Sequence, residues 1–233
     1  MMIGIGCTVP EISNLPGPSR PGGGGGGGGG LAQIDNVYSM SFDPVSTNYI
    51  EVDTVTINGS GSFSLWFNTS SAAAYQNILS SSGVSSMFRY ITVKGGKLNQ
   101  YILGSGWVEL AAVAVSDGNW HHLGFTYDST TTGGPARGTF KAYVDGSLTK
   151  TFDMNGTTEN WTTSQFSAIG FYTSSVGRYF NGKIDEVAIF DTVLTDAEIL
   201  SIYNATAVVE GVNKTADLSQ LTTPPVKWYR MGD

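Results

Sequence analysis

The sequence predicts an all-β fold, two antiparallel sheets packed as a sandwich, with one short helix near 196–204 and an extended N-terminal arm. Three observations carry this expectation. Short segments alternate apolar and polar residues with the period of two that a half-buried strand requires. Between them recur Asp-Gly, Asn-Gly and Gly-Gly pairs, which supply the positive φ of tight hairpins. Nine consecutive glycines, 22–30, separate the first 21 residues from everything that can fold.

The arm, residues 1–21, is uncharged apart from Glu11 and Arg20. It carries the aliphatics Ile3, Ile5, Val9, Ile12 and Leu15, then Pro16, Pro18 and Pro21. Proline blocks both the helix interior and the central strand. The arm is therefore expected to lie extended along a partner through its five aliphatics, or to be a disordered tail in the isolated chain. The glycine run is a tether. As a free coil nine such residues span roughly 15–18 Å, and drawn into a three-fold extended helix they reach about 28 Å.

Residues 31–233 form the third segment, read as one domain because all-β units of about 200 residues are common. Phe63-Ser-Leu65-Trp-Phe67, Met87-Phe-Arg-Tyr-Ile-Thr-Val93 and Thr139-Phe-Lys-Ala-Tyr-Val144 alternate as strands, the last with Phe140, Ala142 and Val144 on one face. Turns are expected at Asn58-Gly59, Gly95-Gly96, Asp117-Gly118, Asp145-Gly146 and Asn181-Gly182. Thr195-Asp-Ala-Glu198 is a capping box, with Leu194 and Ile199 at the staple positions. The helix it opens runs to about Asn204, with Ile199, Leu200 and Tyr203 as its apolar face. Residues 205–223 are polar and ambiguous. The segment 226–231 reads as a strand returning to a sheet.

Composition excludes several functions. A net charge of −7, with only 12 Lys and Arg, argues against nucleic acid as a partner. Cys7 is the single cysteine, so neither an intrachain disulfide nor a thiolate-built zinc site is available. No run reaches the ~20 apolar residues of a membrane span, so membrane insertion is not expected. The N-terminus lacks the basic region and apolar length of a signal peptide. The Asn-x-Ser/Thr sequons at Asn58, Asn68, Asn155, Asn160, Asn204 and Asn213 are accordingly expected to stay unmodified.

Several segments, taken in order, carry a resemblance. They are Gly118-Asn-Trp-His-His-Leu-Gly-Phe-Thr-Tyr-Asp128, Phe140-Lys-Ala-Tyr-Val-Asp-Gly146 and Gly182-Lys-Ile-Asp-Glu-Val-Ala-Ile-Phe-Asp191, followed by Leu194-Thr-Asp-Ala-Glu-Ile-Leu200. Tyr38-Ser-Met-Ser-Phe-Asp43 and Tyr49-Ile-Glu-Val52 precede them. Together they resemble the laminin-G-like, concanavalin-A-like lectin/glucanase superfamily, which implies a jelly-roll sandwich. A looser resemblance joins the arm, the polyglycine, the jelly roll and the Trp-Tyr-Arg-Met-Gly-Asp ending to structural proteins of tailed, notably marine, phages.

That resemblance implies a non-enzymatic virion protein, made in the host cytoplasm: a capsid decoration or head-fibre protein anchored by the arm to other capsid or tail proteins. A homo-oligomer is expected, a trimer foremost. The alternative is a carbohydrate-binding adhesin at a tail-fibre tip, with host surface glycan as its partner.

The candidate sites divide by chemistry. Glucanases of the superfamily use a Glu-x-Asp-x-x-Glu strand pattern, since retaining hydrolysis needs paired carboxyls about 5–5.5 Å apart. Glu51-Val-Asp53 begins it, but Thr56 stands at the last position, so no catalytic residue is assigned. Adjacent His121 and His122 must face opposite ways on a strand and are read as structural. No cofactor is required. Calcium is the one the resemblance allows, at Asp43 and Asp185, although Pro44 replaces a usual glycine and Ser46, Thr47 and Asn48 replace acidic residues. Glycan binding needs exposed aromatic platforms, for which Trp107, Trp161, Tyr172 and Tyr179, in or near predicted loops, are the candidates. Trp66 and Trp120 are read as core, and Trp228 as packed in the terminal strand.

Overall fold

Alternation in the sequence becomes strand pairing in the computed structural model, which describes residues 31–57, 59–80, 90–102, 106–130, 138–153, 164–171, 178–209 and 212–231. The arm, with Ile3, Ile5, Val9, Ile12 and Leu15, the glycine run, and the candidates Trp161 and Tyr172 lie outside the described residues. In chain order come β1 (Gln33–Asp35), β2 (Met40–Phe42), β3 (Ile50–Ile57), β4 (Gly61–Asn68), β5 (Gln76–Ser80) and β6 (Tyr90–Lys94). Then follow β7 (Lys97–Ile102), β8 (Gly106–Ala114), β9 (Trp120–Asp128), β10 (Thr139–Val144), β11 (Ser147–Asp153) and β12 (Ser164–Ile169). The chain closes with β13 (Gly182–Phe190), α1 (Asp196–Asn204), β14 (Ala207–Val209), β15 (Val212–Ala216) and β16 (Lys227–Tyr229).

One sheet has the order β11-β10-β9-β4-β13-β16, with β2 also paired to β13; the other runs β3-β12-β5-β6-β7-β8. The expected two-sheet antiparallel sandwich is thus the observed one. Its core lies between the sheets. Phe63 of the first stacks on Phe125 at 4.8 Å and meets Phe166 of the second edge-on at 5.7 Å. Phe140, Ala142 and Val144 are all buried, as their alternation predicts. Asp145 and Gly146, at φ of 51° and 73°, close a two-residue hairpin that pairs Val144 with Ser147.

The helix covers the outer face of the first sheet. Its capping box forms as predicted: Glu198 N donates to Thr195 Oγ1 at 3.2 Å, and Thr195 N donates to Glu198 Oε2 at 2.8 Å. Its buried residues are Ile199 and Ile202, while Leu200 is 45% exposed, which corrects the expected apolar face. Positions 199, 202 and 203 follow the i, i+3, i+4 spacing of one helical face, and 200 is turned away from it. Gly124 of β9 makes the close approach possible. A Cβ there would sit 2.7 Å from Ile199 Cγ2. Trp66 and Trp120 are buried under this helix beside Tyr203, not between the sheets.

The ambiguous stretch 205–223 holds β14, β15 and a 3-10 turn at Leu218–Gln220. β14 and β15 form a third sheet with β1, in the order β1-β15-β14, bringing the start of the domain to its end. The terminal strand β16 pairs with β13, opposite Val187–Ile189. A bulge in β13 puts Glu186 at φ 51° and buries its carboxylate. There it accepts from Trp228 Nε1 at 2.5 Å and from Arg230 Nε at 3.3 Å, which fixes the C-terminal segment.

Candidate functional site

Strands β6, β7 and β8 send alternate residues away from the core. Ile91, Val93 and Leu98 point inward and are buried, and Val108 packs against the same core. Tyr90, Tyr101 and Trp107 therefore share the outer face. The register sets Tyr90 opposite Tyr101 and Tyr101 opposite Trp107. The result is a ladder of rings across three strands. Tyr90 stacks on Tyr101 at 5.3 Å, and Trp107 lies 5.3 Å from each of them. Tyr75, just before β5, completes the group 5.2 Å from Trp107.

Two cations cover these rings. Lys94 Nζ lies 5.3 Å from the Trp107 centroid and 5.9 Å from that of Tyr75. The Arg178 guanidinium lies 4.7 Å from the Tyr75 centroid and 5.6 Å from that of Tyr90. Beside them opens a cleft of about 350 Å³ lined by Ala74, Tyr75, Lys94, Gly95, Asn99 and Glu109. Asn77 pairs across the strands with Thr92 on the same face. It is fully buried, and neither atom of its amide has a hydrogen-bond partner. Tyr90 is buried, while Tyr75, Tyr101 and Trp107 are partly exposed; partly exposed rings beside a few polar groups are the usual make-up of a small-molecule or saccharide site.

Trp107, expected in a loop, is the second residue of β8. β8 begins at Gly106, which pairs with Ile102, and Trp107 pairs with Tyr101. Tyr179 borders the same face: it stacks on Phe171 at 4.4 Å, and Phe171 lies 4.8 Å from Tyr49. The Phe171 carbonyl accepts from Ser80 Oγ, and Ser80 stands opposite Tyr90. Tyr75, Tyr90, Tyr101, Lys94 and Arg178 were not singled out in the sequence. The usable signal was the Gly95-Gly96 turn, which dictates that Tyr90 faces Tyr101.

Asp43 and Asp185 do not fit a shared calcium site. Asp43 caps its own turn, accepting from Val45 N at 2.9 Å and Ser46 Oγ at 2.8 Å. Those bonds hold its carboxyl below the usual range. Asp185 is fully buried and accepts from Asn36 Nδ2 at 3.0 Å and Glu186 N at 2.8 Å. Phe42 pairs with Gly182, so the register leaves the two carboxylates about four strand positions, roughly 13 Å, apart. Calcium needs six to eight oxygens gathered at one point. Among the described residues no group of three or more His, Cys, Asp or Glu is placed to hold a metal.

Glu51 and Asp53 stand exposed on the edge strand β3, with Thr56 further along it. The histidines face opposite ways, as expected. His122 is buried under the helix, its Nε2 2.8 Å from Ser64 Oγ. His121 lies between Asp145, 2.9 Å from Nδ1, and Asp117, 3.1 Å from Nε2. A larger cleft of about 470 Å³ opens at the helix N-terminus, lined by Thr126, Lys141 and Asp196 among others. Its lysine is already matched, since Lys141 Nζ and Tyr143 Oη both donate to Asp196 Oδ1.

The profile of the concanavalin A-like lectin/glucanases superfamily matches residues 44–200. The chain belongs to this superfamily. Among solved structures, the heptameric SAP-like pentraxin of Limulus polyphemus matches with a TM-score of 0.56 at 15% identity, over 76% of this chain and 90% of its own. Domain 4 of AbnA, a GH43 extracellular arabinanase from Geobacillus stearothermophilus solved with arabinotriose, gives 0.53 at 18% identity, over 74% and 81%. At such identities the likeness establishes the lectin-like fold and no more. No curated protein matches the sequence. Among the described residues no helix is long and apolar enough to cross a membrane.

Proposed function

We propose that this superfamily member is a non-catalytic carbohydrate-binding module, taking a sugar chain on the outer face of its six-stranded sheet. The observation that carries the reading is the Tyr90–Tyr101–Trp107 ladder, joined by Tyr75 beside an open cleft. Sugar rings present C–H faces that stack on aromatic side chains, and flanking amides and charges then bind the hydroxyls. The arabinotriose held by a domain of the same fold supports this. Hydrolysis is not part of the proposal, because Thr56 leaves Glu51 and Asp53 without a third carboxylate.

The arm and glycine run support a setting for the module. We propose that it is displayed on a tailed-phage virion, as a decoration, head-fibre or tail-fibre protein, with the arm bound to another virion component. Five aliphatic side chains, at about 1.5–3 kcal/mol each when fully buried, would offset the ordering of the arm best when several copies share the site. A homo-oligomer, a trimer foremost, follows from that.

A glycan array carrying host surface polysaccharides tests the sugar-binding reading, run once with calcium and once with a chelator. The expected result is binding to at least one polysaccharide at equal strength in both. Silence across the array would remove the sugar-binding role and leave a purely structural one.

A further inference from the structure

We infer that the sugar chain bound on this face is acidic, its anionic group seated between Lys94 and Arg178; this rests on the sugar-binding reading above. Both cations lie near the same ring, Tyr75: Lys94 at 5.9 Å and Arg178 at 4.7 Å from its centroid. Neither forms an ion pair with a carboxylate among the described residues. The one carboxylate lining the cleft, Glu109, is held by Lys97 at 3.1 Å. Three cations therefore stand against one anion here, in a chain whose 19 acidic residues outnumber its 12 basic ones. A local positive field on an acidic protein draws an anion from solution.

Each candidate contact also has a chemical role. The guanidinium of Arg178 matches a carboxylate or sulfate with two parallel N–H donors, and Lys94 supplies a second, point-like positive charge. A neutral sugar would stack on the rings and leave the two cations unmatched. An acidic sugar uses both.

The test is a calorimetric titration of the full chain with polygalacturonate and with its fully methyl-esterified form, and in parallel with a sulfated galactan and its desulfated counterpart. The expected result is at least tenfold tighter binding of one acidic polymer than of its neutral twin. The affinity gap should narrow between about 50 and 500 mM salt as the Debye length shrinks. The polymer pair that shows the gap identifies carboxylate or sulfate as the group recognised. Arg178→Gln and Lys94→Gln should each close most of the gap, lowering affinity for the acidic polymer far more than for its neutral twin, while circular dichroism shows the same β-rich fold. Equal affinity for acidic and neutral forms would overturn the inference and leave the sugar-binding reading intact. If neither pair binds but a neutral polysaccharide from the array does, the inference also falls. Absence of binding to every polysaccharide would instead remove the reading on which it rests.

Discussion

Two neighbouring histidines respond to pH in opposite directions because one backbone step separates their surroundings. Burial pushes His122 down to about 4, against a smaller upward pull from Asp145. For His121 burial also opposes the charge, but the hydrogen bonds and charges of Asp145 and Asp117 together outweigh it and raise the pKa above 6.5. The signs follow from proton binding. Between about pH 4 and 6.5 the unfolded chain protonates position 122 and the folded one does not, so His122 contributes stability above pH 6.5 that is lost as the pH falls toward 4. The loss amounts to about 3 kcal/mol. The His121 contribution has the reverse course: it is full below pH 6.5 and disappears as the pH rises through the folded value. NMR titration of the imidazole C–H signals should give one histidine titrating above 6.5 and one near 4. His122→Gln should flatten the fall in melting temperature between pH 6.5 and 4. Two superimposed titrations near 6.5 would contradict this description. The opposite orientations were legible from adjacency on a strand. The carboxylates around His121 come partly from the β10–β11 turn, 24 residues on, which nothing local encodes.

At the scale of elements, local signals proved readable and remote ones did not. The capping box fixed the helix start at Thr195 because its partners lie three residues apart. The face the helix buries depends on what lies beneath it, and β9 leaves a gap at Gly124 for Ile199. Gly124→Ala should therefore lift the helix and destabilise the domain by about 1–3 kcal/mol, as overpacking does. In a domain of this size that is roughly 2–4 °C in melting temperature per kcal/mol. A melting temperature equal to that of the unmodified chain would mean that the helix is not seated on β9. The Gly95-Gly96 turn likewise made the Tyr90–Tyr101 pairing available by counting. β14 and β15 gave no such signal. They are short, and β15 is held by pairing with β1, about 180 residues earlier.

For the whole molecule, the order of the strand motifs was enough to read the jelly-roll sandwich, since each motif keeps its place in the topology. The candidate site was only partly readable. Its rings come from positions 75, 90, 101 and 107 and its cations from 94 and 178, so only the folded sheet assembles them. The third sheet joins the beginning and end of the domain through the β1–β15 pairing and the bond from Arg230 to the Asp35 carbonyl. The arm and tether precede that junction in the chain. Deletion of residues 1–21 should therefore leave a folded head that still binds sugar and no longer enters particles. Normal incorporation of the truncated chain would remove the anchoring role. The most direct test of the central claim is a calorimetric titration of Trp107→Ala against the unmodified chain, using a polysaccharide captured on the array. Removing a half-buried ring from the ladder should lower affinity at least tenfold, while circular dichroism shows the same β-rich fold. Unchanged affinity in a folded Trp107→Ala variant would place sugar binding elsewhere on the molecule and contradict the assignment of this face.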